Sequence, residues 1–119
     1  MKTLLIDHLH PRLGLWARHL ERHGMTVVTA ASADEAFRAL ATGQFEAMVL
    51  NMGLPDGSAM PIADYAIFKN PDIKIIGVSS DQFFSNGTLF SYIPNLCSQL
   101  GDSVPPEDLG ATVAFYAGH

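Results

Sequence analysis

The chain has 119 residues, of which 48% are hydrophobic and 16% charged, and its formal net charge is -5. This length suits one domain with a single core, and the high apolar content predicts a folded globule rather than a disordered segment. No apolar run reaches the roughly 20 residues that a membrane-spanning helix needs, so we expect a cytoplasmic protein without a membrane anchor or signal peptide.

Two features of the composition limit the chemistry. The single cysteine, Cys97, cannot form an internal disulfide or a CxxC metal or redox motif. All seven Lys and Arg residues lie at or before Lys74, so the remainder of the chain carries acidic charges alone. Because a nucleic-acid surface needs clustered positive charge, we do not expect nucleic acid as a direct ligand.

The first half of the chain alternates strand and helix. Residues 2–7 and 25–30 are short apolar or β-branched runs and predict two strands. Between them, residues 12–23 place Leu13, Trp16 and Leu20 at helical spacing, which predicts an amphipathic helix. A second helix is predicted over 32–43.

The second helix carries a start signal of its own. Ser32 is a favourable N-cap, and Glu35 three residues later completes a capping box. Next, the stretch FEAMVLNMGLPDGS predicts a third strand over 45–51 that ends at Asn51, followed by a Pro-Asp-Gly turn. A third helix is predicted over 59–69 with Ser58 as its cap.

The last part of the chain is less regular. Residues 73–79 predict a fourth strand, and Gly87 and Pro94 limit the next helix to about 88–93. A weak strand signal at 98–100 precedes a final helix over 106–116, which begins at a proline. Strands that alternate with helices through short connections predict a doubly wound parallel sheet with right-handed crossovers.

These segments resemble the receiver domains of bacterial response regulators in two-component signalling. The similarity rests on LLID, VLNMGLPDGS and IIGVSS in the first, third and fourth strands, and on SVPPEDL before the last helix. It implies a single domain over 1–119, with a flavodoxin-like five-stranded parallel sheet of order 2-1-3-4-5 and an irregular fourth helix. It also implies a site at the carboxyl edge of that sheet.

The chain departs from the phosphorylation chemistry that this resemblance implies. Asn51 matches the family's phosphoacceptor aspartate, Asp7 with His8 matches the acidic pair that holds magnesium, and Asp102 matches the lysine that neutralises the phosphoryl group. Only Ser79 keeps the matching hydroxyl. Because no basic residue follows the start of the fourth strand, the lysine is missing in any alignment. The resemblance therefore implies a pseudo-receiver that is not an enzyme, needs no cofactor and acts without phosphorylation.

Two interpretations of the altered pocket stay open. In the first, the Asn51 amide hydrogen-bonds across the pocket to Asp7, Ser79 or the backbone and keeps it shut. In the second, the pocket is a ligand- or metal-gated sensor. We expect no metal, and the weak candidate ligands are Asp7, His8 and His10, with Asp102 as a further candidate.

Two other sets of side chains are candidates for binding, a histidine pair for a metal ion and an aromatic face for a protein. His19 and His23 lie four apart on the first helix, and we interpret them as solvated side chains rather than ligands. In the receiver domains that the chain resembles, the fourth helix, fifth strand and fifth helix form the output and dimerisation face. We therefore expect contact with a protein partner, an effector domain or a second copy through an aromatic face. This face comprises Phe83, Phe84, Phe90, Tyr92, Ile93 and Tyr116.

Overall fold

The computed structural model describes residues 1–79 and 93–118, apart from the side chain of His10. The strands are β1 (Lys2–Ile6), β2 (Thr26–Ala30), β3 (Ala47–Asn51), β4 (Lys74–Ser79) and β5 (Leu96–Gly101). The helices are α1 (His10–Arg22), α2 (Ala33–Thr42), α3 (Ala59–Lys69) and α4 (Pro106–Ala117). The strands form one parallel sheet of order β2-β1-β3-β4-β5, which confirms the predicted fold class.

The sheet is covered by helices on both faces. On one face, Leu4 and Ile6 of β1 join a core that α2 and α3 complete. On the other face, Leu5 joins a core with Trp16 of α1 and Leu109 of α4. Since alternate residues of the strand are buried on opposite faces, a parallel strand in this position has to be apolar throughout.

Both predicted N-cap residues occupy the N-cap position, but only one caps through its side chain. The Ser32 hydroxyl accepts from the backbone N–H of Glu35, as the capping box predicts. Ser58 is the N-cap residue of α3, but its side chain makes no capping hydrogen bond and its backbone is already helical. Its hydroxyl and its backbone N–H both donate to Asp56 Oδ1 instead. The acceptor in this turn is therefore the aspartate of the Pro-Asp-Gly sequence.

Two predicted elements in the last part of the chain have different outcomes. The weak strand signal at 98–100 underestimates β5, which pairs with β4 from Leu96 to Gly101 around an irregularity at Ile75/Ile76. The helix predicted near 88–93 falls outside the described residues except for Ile93, so it stays a prediction. In the described part of the chain, no helix combines the length and apolar character needed to cross a membrane.

The strand register determines which residues share the carboxyl edge. Asp7 directly follows β1, while Asn51 and Ser79 are the last residues of β3 and β4. Ser79 pairs with Gly101, and the backbone N–H of Asp102 extends this ladder by donating to the Ser79 carbonyl at 2.9 Å. Because parallel strands end at one edge, these polar residues are gathered on the same side of the sheet.

Candidate functional site

Three polar side chains are buried at the carboxyl edge of the sheet. The exposed fractions are 0% for Asp7, 5% for Asn51 and 1% for Ser79. Among the described residues, each buried side-chain nitrogen and oxygen has a hydrogen-bond partner. The edge is therefore an internally satisfied polar cluster, as buried polar groups generally require.

Asn51 uses both ends of its amide. Its Nδ2 donates to Asp7 Oδ1 at 2.9 Å and lies 3.3 Å from His8 Nδ1, while its Oδ1 accepts from the Gly53 backbone N–H at 2.8 Å. Asn51 thus ties the end of β1 to the loop after β3.

Arg12 is the residue that the sequence interpretation missed. From the first turn of α1, its Nε donates to Asp7 Oδ2 and its Nη2 donates to Asp7 Oδ1 at 2.9 Å. Its guanidinium also lies 4.8 Å from the centre of the Trp16 ring, one helical turn onward. A paired geometry of this kind is the strongest way for a guanidinium to hold a carboxylate.

A sequence signal for Arg12 did exist. It lies five residues after a strand-end aspartate and inside the first turn of the following helix, next to Pro11. In a parallel α/β fold, that turn starts beside the carboxyl end of the strand it follows. The resemblance draws attention to the position of the missing lysine after β5, whereas the cation of this site lies at the start of α1.

Burial and hydrogen bonding shift the pKa of the Asp7 carboxyl in opposite directions. Burial alone would raise its pKa, but the hydrogen bonds from Arg12 and Asn51 and the Arg12 charge lower the pKa below its usual range. The same pairing raises the pKa of Arg12 above its usual value. Asp7 is therefore a carboxylate and Arg12 a cation throughout the neutral range.

The other predicted pocket residues lie near the Asp7–Arg12 pair but take no part in its two hydrogen bonds. His8 is half-buried and 3.5 Å from Asp7 Oδ1. The partners of Asn51 do not include Ser79, whose hydroxyl accepts from Gln99 Nε2 at 3.1 Å. Asp102 is exposed, and its backbone carbonyl, rather than its carboxylate, lies 3.4 Å from Arg12 Nη1.

These residues do not fit a divalent cation. Both Asp7 oxygens accept from Arg12, and the Asn51 oxygen accepts from Gly53, so each of these oxygens already has a hydrogen-bond donor. Within residues 1–79 and 93–118, no group of three His, Cys, Asp or Glu residues could hold a metal ion. The His10 side chain lies outside what the structure describes.

Two pockets lie near the ends of the sheet. One, of about 180 Å³, lies beside the buried cluster and is lined by His8, residues 31–33 and residues 54–56. The other, of about 220 Å³, lies at the opposite edge between the ends of α2 and α3, with Lys69 and Asn70 in its wall. Only the first adjoins the predicted site residues.

Most of the predicted aromatic face lies outside the described residues. These members are Phe83, Phe84, Phe90 and Tyr92. The prediction that Ile93 belongs to this face is corrected, because its side chain is 1% exposed and packs in the core on the α2–α3 side. Tyr116 is half-buried against the other core and contacts Phe115 edge-on. A feature that the sequence interpretation missed is Phe68 of α3, which is 79% exposed and stacks on Tyr65.

No model of a known protein family matches the chain, and neither does any curated protein sequence. Solved structures do match. A response regulator receiver domain protein from Methanospirillum hungatei JF-1 has a TM-score of 0.85 at 23% identity, covering 98% of this chain and 93% of that chain. The BeF3-activated DrrB receiver domain has a TM-score of 0.82 at 20% identity, over 99% and 97%. An adenylate cyclase from Rhodopirellula baltica has a TM-score of 0.84 at 17% identity, over 98% and 85%. The chain therefore has the receiver-domain fold.

Proposed function

We propose that this chain is a signalling or regulatory module that binds a protein partner or effector domain and does not switch by aspartyl phosphorylation. The observation that carries the proposal is the hydrogen bonding of Asn51 at the end of β3. The fold concentrates chemistry at that position. A receiver-like scaffold whose reactive position is an engaged amide is more useful as a binding surface than as a phosphoryl acceptor.

The chemistry of Asn51 supports this view. Phosphoryl transfer to a receiver needs a carboxylate nucleophile, whereas an amide is uncharged and weakly nucleophilic. The Asn51 oxygen already accepts from Gly53, and its nitrogen donates to Asp7. Asp7 cannot take over the role, because it is fully buried and paired with Arg12. We therefore expect no catalytic activity of the chain's own.

Phosphodonor treatment read by intact mass tests the proposal. After incubation with acetyl phosphate and magnesium, the mass is expected to stay unchanged, while a receiver with a complete acidic pocket gains about 80 daltons. A stoichiometric adduct on this chain would contradict the proposal. If an adduct appears, the variant Asp56→Asn tests whether it lies on Asp56, which is an exposed carboxylate close to Asn51 in sequence.

The partner-binding half of the proposal needs a separate measurement. The predicted aromatic residues 83, 84, 90 and 92 remain the proposed contact, with a homodimer as one form of it. Sedimentation velocity over a range of concentrations distinguishes a self-associating chain from a monomer that awaits another partner. In either case the sedimentation profile is expected to be the same with and without the phosphodonor, and a change on adding it would count against the proposal.

A second candidate is a sensor gated by a small ligand. The pocket beside His8 favours it, because its lining combines apolar Leu54 and Ala33 with the polar residues His8 and Asp56. A pocket with both kinds of lining suits a small molecule that has apolar and polar groups. The metal-gated version lacks free oxygen ligands at Asp7 and Asn51. Thermal-shift titration with zinc, magnesium and manganese tests that version, since binding to the folded form must raise the melting temperature.

A further inference from the structure

We propose that the Arg12 guanidinium is a built-in counter-ion that takes the place of a divalent cation at the carboxyl edge. The inference deepens the proposed function and rests on it only for its consequence in signalling. An edge that carries its own cation holds one arrangement whether or not metal ions are present. A partner would then meet the same surface under all ionic conditions.

The geometry of the pair supports this assignment. Asp7 contributes both oxygens to Arg12, and its side chain is 0% exposed, whereas the Arg12 side chain is 19% exposed. A buried carboxylate needs a nearby positive charge, because removing it from water is costly. Arg12 supplies that charge in full. An added cation would have to displace a guanidinium that stays charged at any pH the protein tolerates.

Arg12 also connects segments that are distant in the chain. It joins the end of β1 at Asp7 to the residue after β5, through the Asp102 carbonyl at 3.4 Å. Asp102 in turn donates its backbone N–H to the carbonyl of Ser79 at the end of β4. One side chain from α1 therefore spans the edge from β1 to β5, and no ion is needed for the connection.

Trp16 makes the proposal measurable. It is the only tryptophan in the chain, is 2% exposed, and has the Arg12 guanidinium over its ring. Displacement of Arg12 from Asp7 would change the contact over the indole and hence the Trp16 fluorescence. In the unaltered protein, we expect Trp16 emission and melting temperature to be unchanged by magnesium or manganese at about 10 mM. A saturable change in either would overturn the proposal.

A matched pair of variants tests the competition directly. The substitutions His8→Asp and Asn51→Asp restore a set of three carboxylates, and the pair differs only by a further Arg12→Gln. The variant that retains Arg12 should bind magnesium or manganese at least about tenfold more weakly than the one that lacks it. Equal affinities would show that Arg12 does not occupy the ion's place and would overturn the proposal.

Three further variants test the proposal through stability, in case the metal-binding variants do not fold. Arg12→Gln alone is expected to lower the melting temperature by about 8 °C or more, and Arg18→Gln on the exposed face of α1 by far less. Arg12→Gln combined with Asp7→Asn leaves no unpaired charge and should be more stable than Arg12→Gln alone. A double variant that is no more stable, or does not fold, contradicts the proposal. None of these readouts uses a phosphodonor, so their failure is distinguishable from failure of the proposed function.

Discussion

The side-chain nitrogen of Asn51 donates to Asp7 Oδ1 over 2.9 Å, which joins the end of β3 to the residue after β1. Both residues are buried. An amide donor beside a buried carboxylate is favourable, whereas a second carboxylate there would add repulsion in a poorly solvated place. Asn51 is therefore the residue type that suits an edge with one acid and one internal cation.

Replacement of Asn51 by aspartate should destabilise the protein. We expect Asn51→Asp to lower the free energy of unfolding by about 1–3 kcal/mol at neutral pH, because a hydrogen bond becomes a charge repulsion. The loss should be smaller near pH 4, where one carboxyl is protonated. Urea unfolding at both pH values measures this, with Asn51→Ala as a control whose loss has little pH dependence. A variant as stable as the wild type at neutral pH would contradict the account.

The lowered pKa of Asp7 predicts the sign of a pH effect. Since its folded-state pKa lies below the ordinary value of 3.8, the folded state binds fewer protons, and Asp7 contributes stability at pH values above about 4. This contribution is lost as the pH falls through the folded-state pKa. Arg12 is the charged group paired with Asp7, the His8 imidazole lies 3.5 Å from Asp7 Oδ1, and the Asp102 charge acts on Arg12.

Comparison with Asp7→Asn makes this measurable. The wild type should exceed Asp7→Asn in free energy of unfolding at pH 6–7, and the difference should shrink as the pH falls below about 4. Asp64→Asn is the control, because Asp64 is an exposed acid of α3 outside the buried cluster. A difference that grows on acidification would show that Asp7 is stabilised in its protonated form.

Two glycines in helices should respond oppositely to substitution. A side chain at Gly14 of α1 would meet no atom within 4 Å, so Gly14→Ala should stabilise the protein by up to about 1 kcal/mol. At Gly110 of α4, a Cβ would lie 2.9 Å from the His23 ring and 3.3 Å from the His19 carbonyl. Gly110→Val should therefore cost about 1–3 kcal/mol through separation of α1 and α4. Thermal unfolding checks both, and equal effects would contradict this packing.

Phe68 should contribute little to folding despite its size. It is 79% exposed, so Phe68→Ala should change the free energy of unfolding by less than about 1 kcal/mol. Ile62 on the same helix is 0% exposed, and Ile62→Ala should cost about 2–5 kcal/mol. Chemical denaturation of both variants tests this. A cost at Phe68 as large as that at Ile62 would mean that Phe68 is covered in solution.

The fold could be predicted from the sequence because its signals are local. Apolar runs such as 45–51 and 73–79 favour central strands of a parallel sheet, and the Ser32 capping box marks the start of α2 without reference to the rest of the chain. Ser58 holds the predicted N-cap position of α3, but its side chain does not cap for an equally local reason, since its hydroxyl donates to Asp56 two residues earlier.

The site was harder to predict because the contact between Arg12 and Asp7 depends on the direction of the side chains as well as on their position in the fold. The residue types at Asp7 and Asn51 indicated a polar edge without an ordinary phosphoacceptor, but which groups they bond depends on rotamers and on the entry angle of α1. Arg12 lies on a helix start, where an arginine is usually solvated, and only the assembled fold turns it towards Asp7. Ile93 was included in the contact face because the resembling family uses that region as its output surface, yet it is buried.

Amide spectra recorded with beryllium fluoride and magnesium test most directly whether the carboxyl edge is closed. This reagent mimics a phosphoryl group on a receiver aspartate and requires both a free carboxylate and a bound cation. The amide signals of Gly53, Ser79 and Asp102 are expected to stay in place throughout the titration, because Arg12 and Asn51 already satisfy Asp7. A saturable shift of those signals would show an open, ion-binding pocket and would contradict the account.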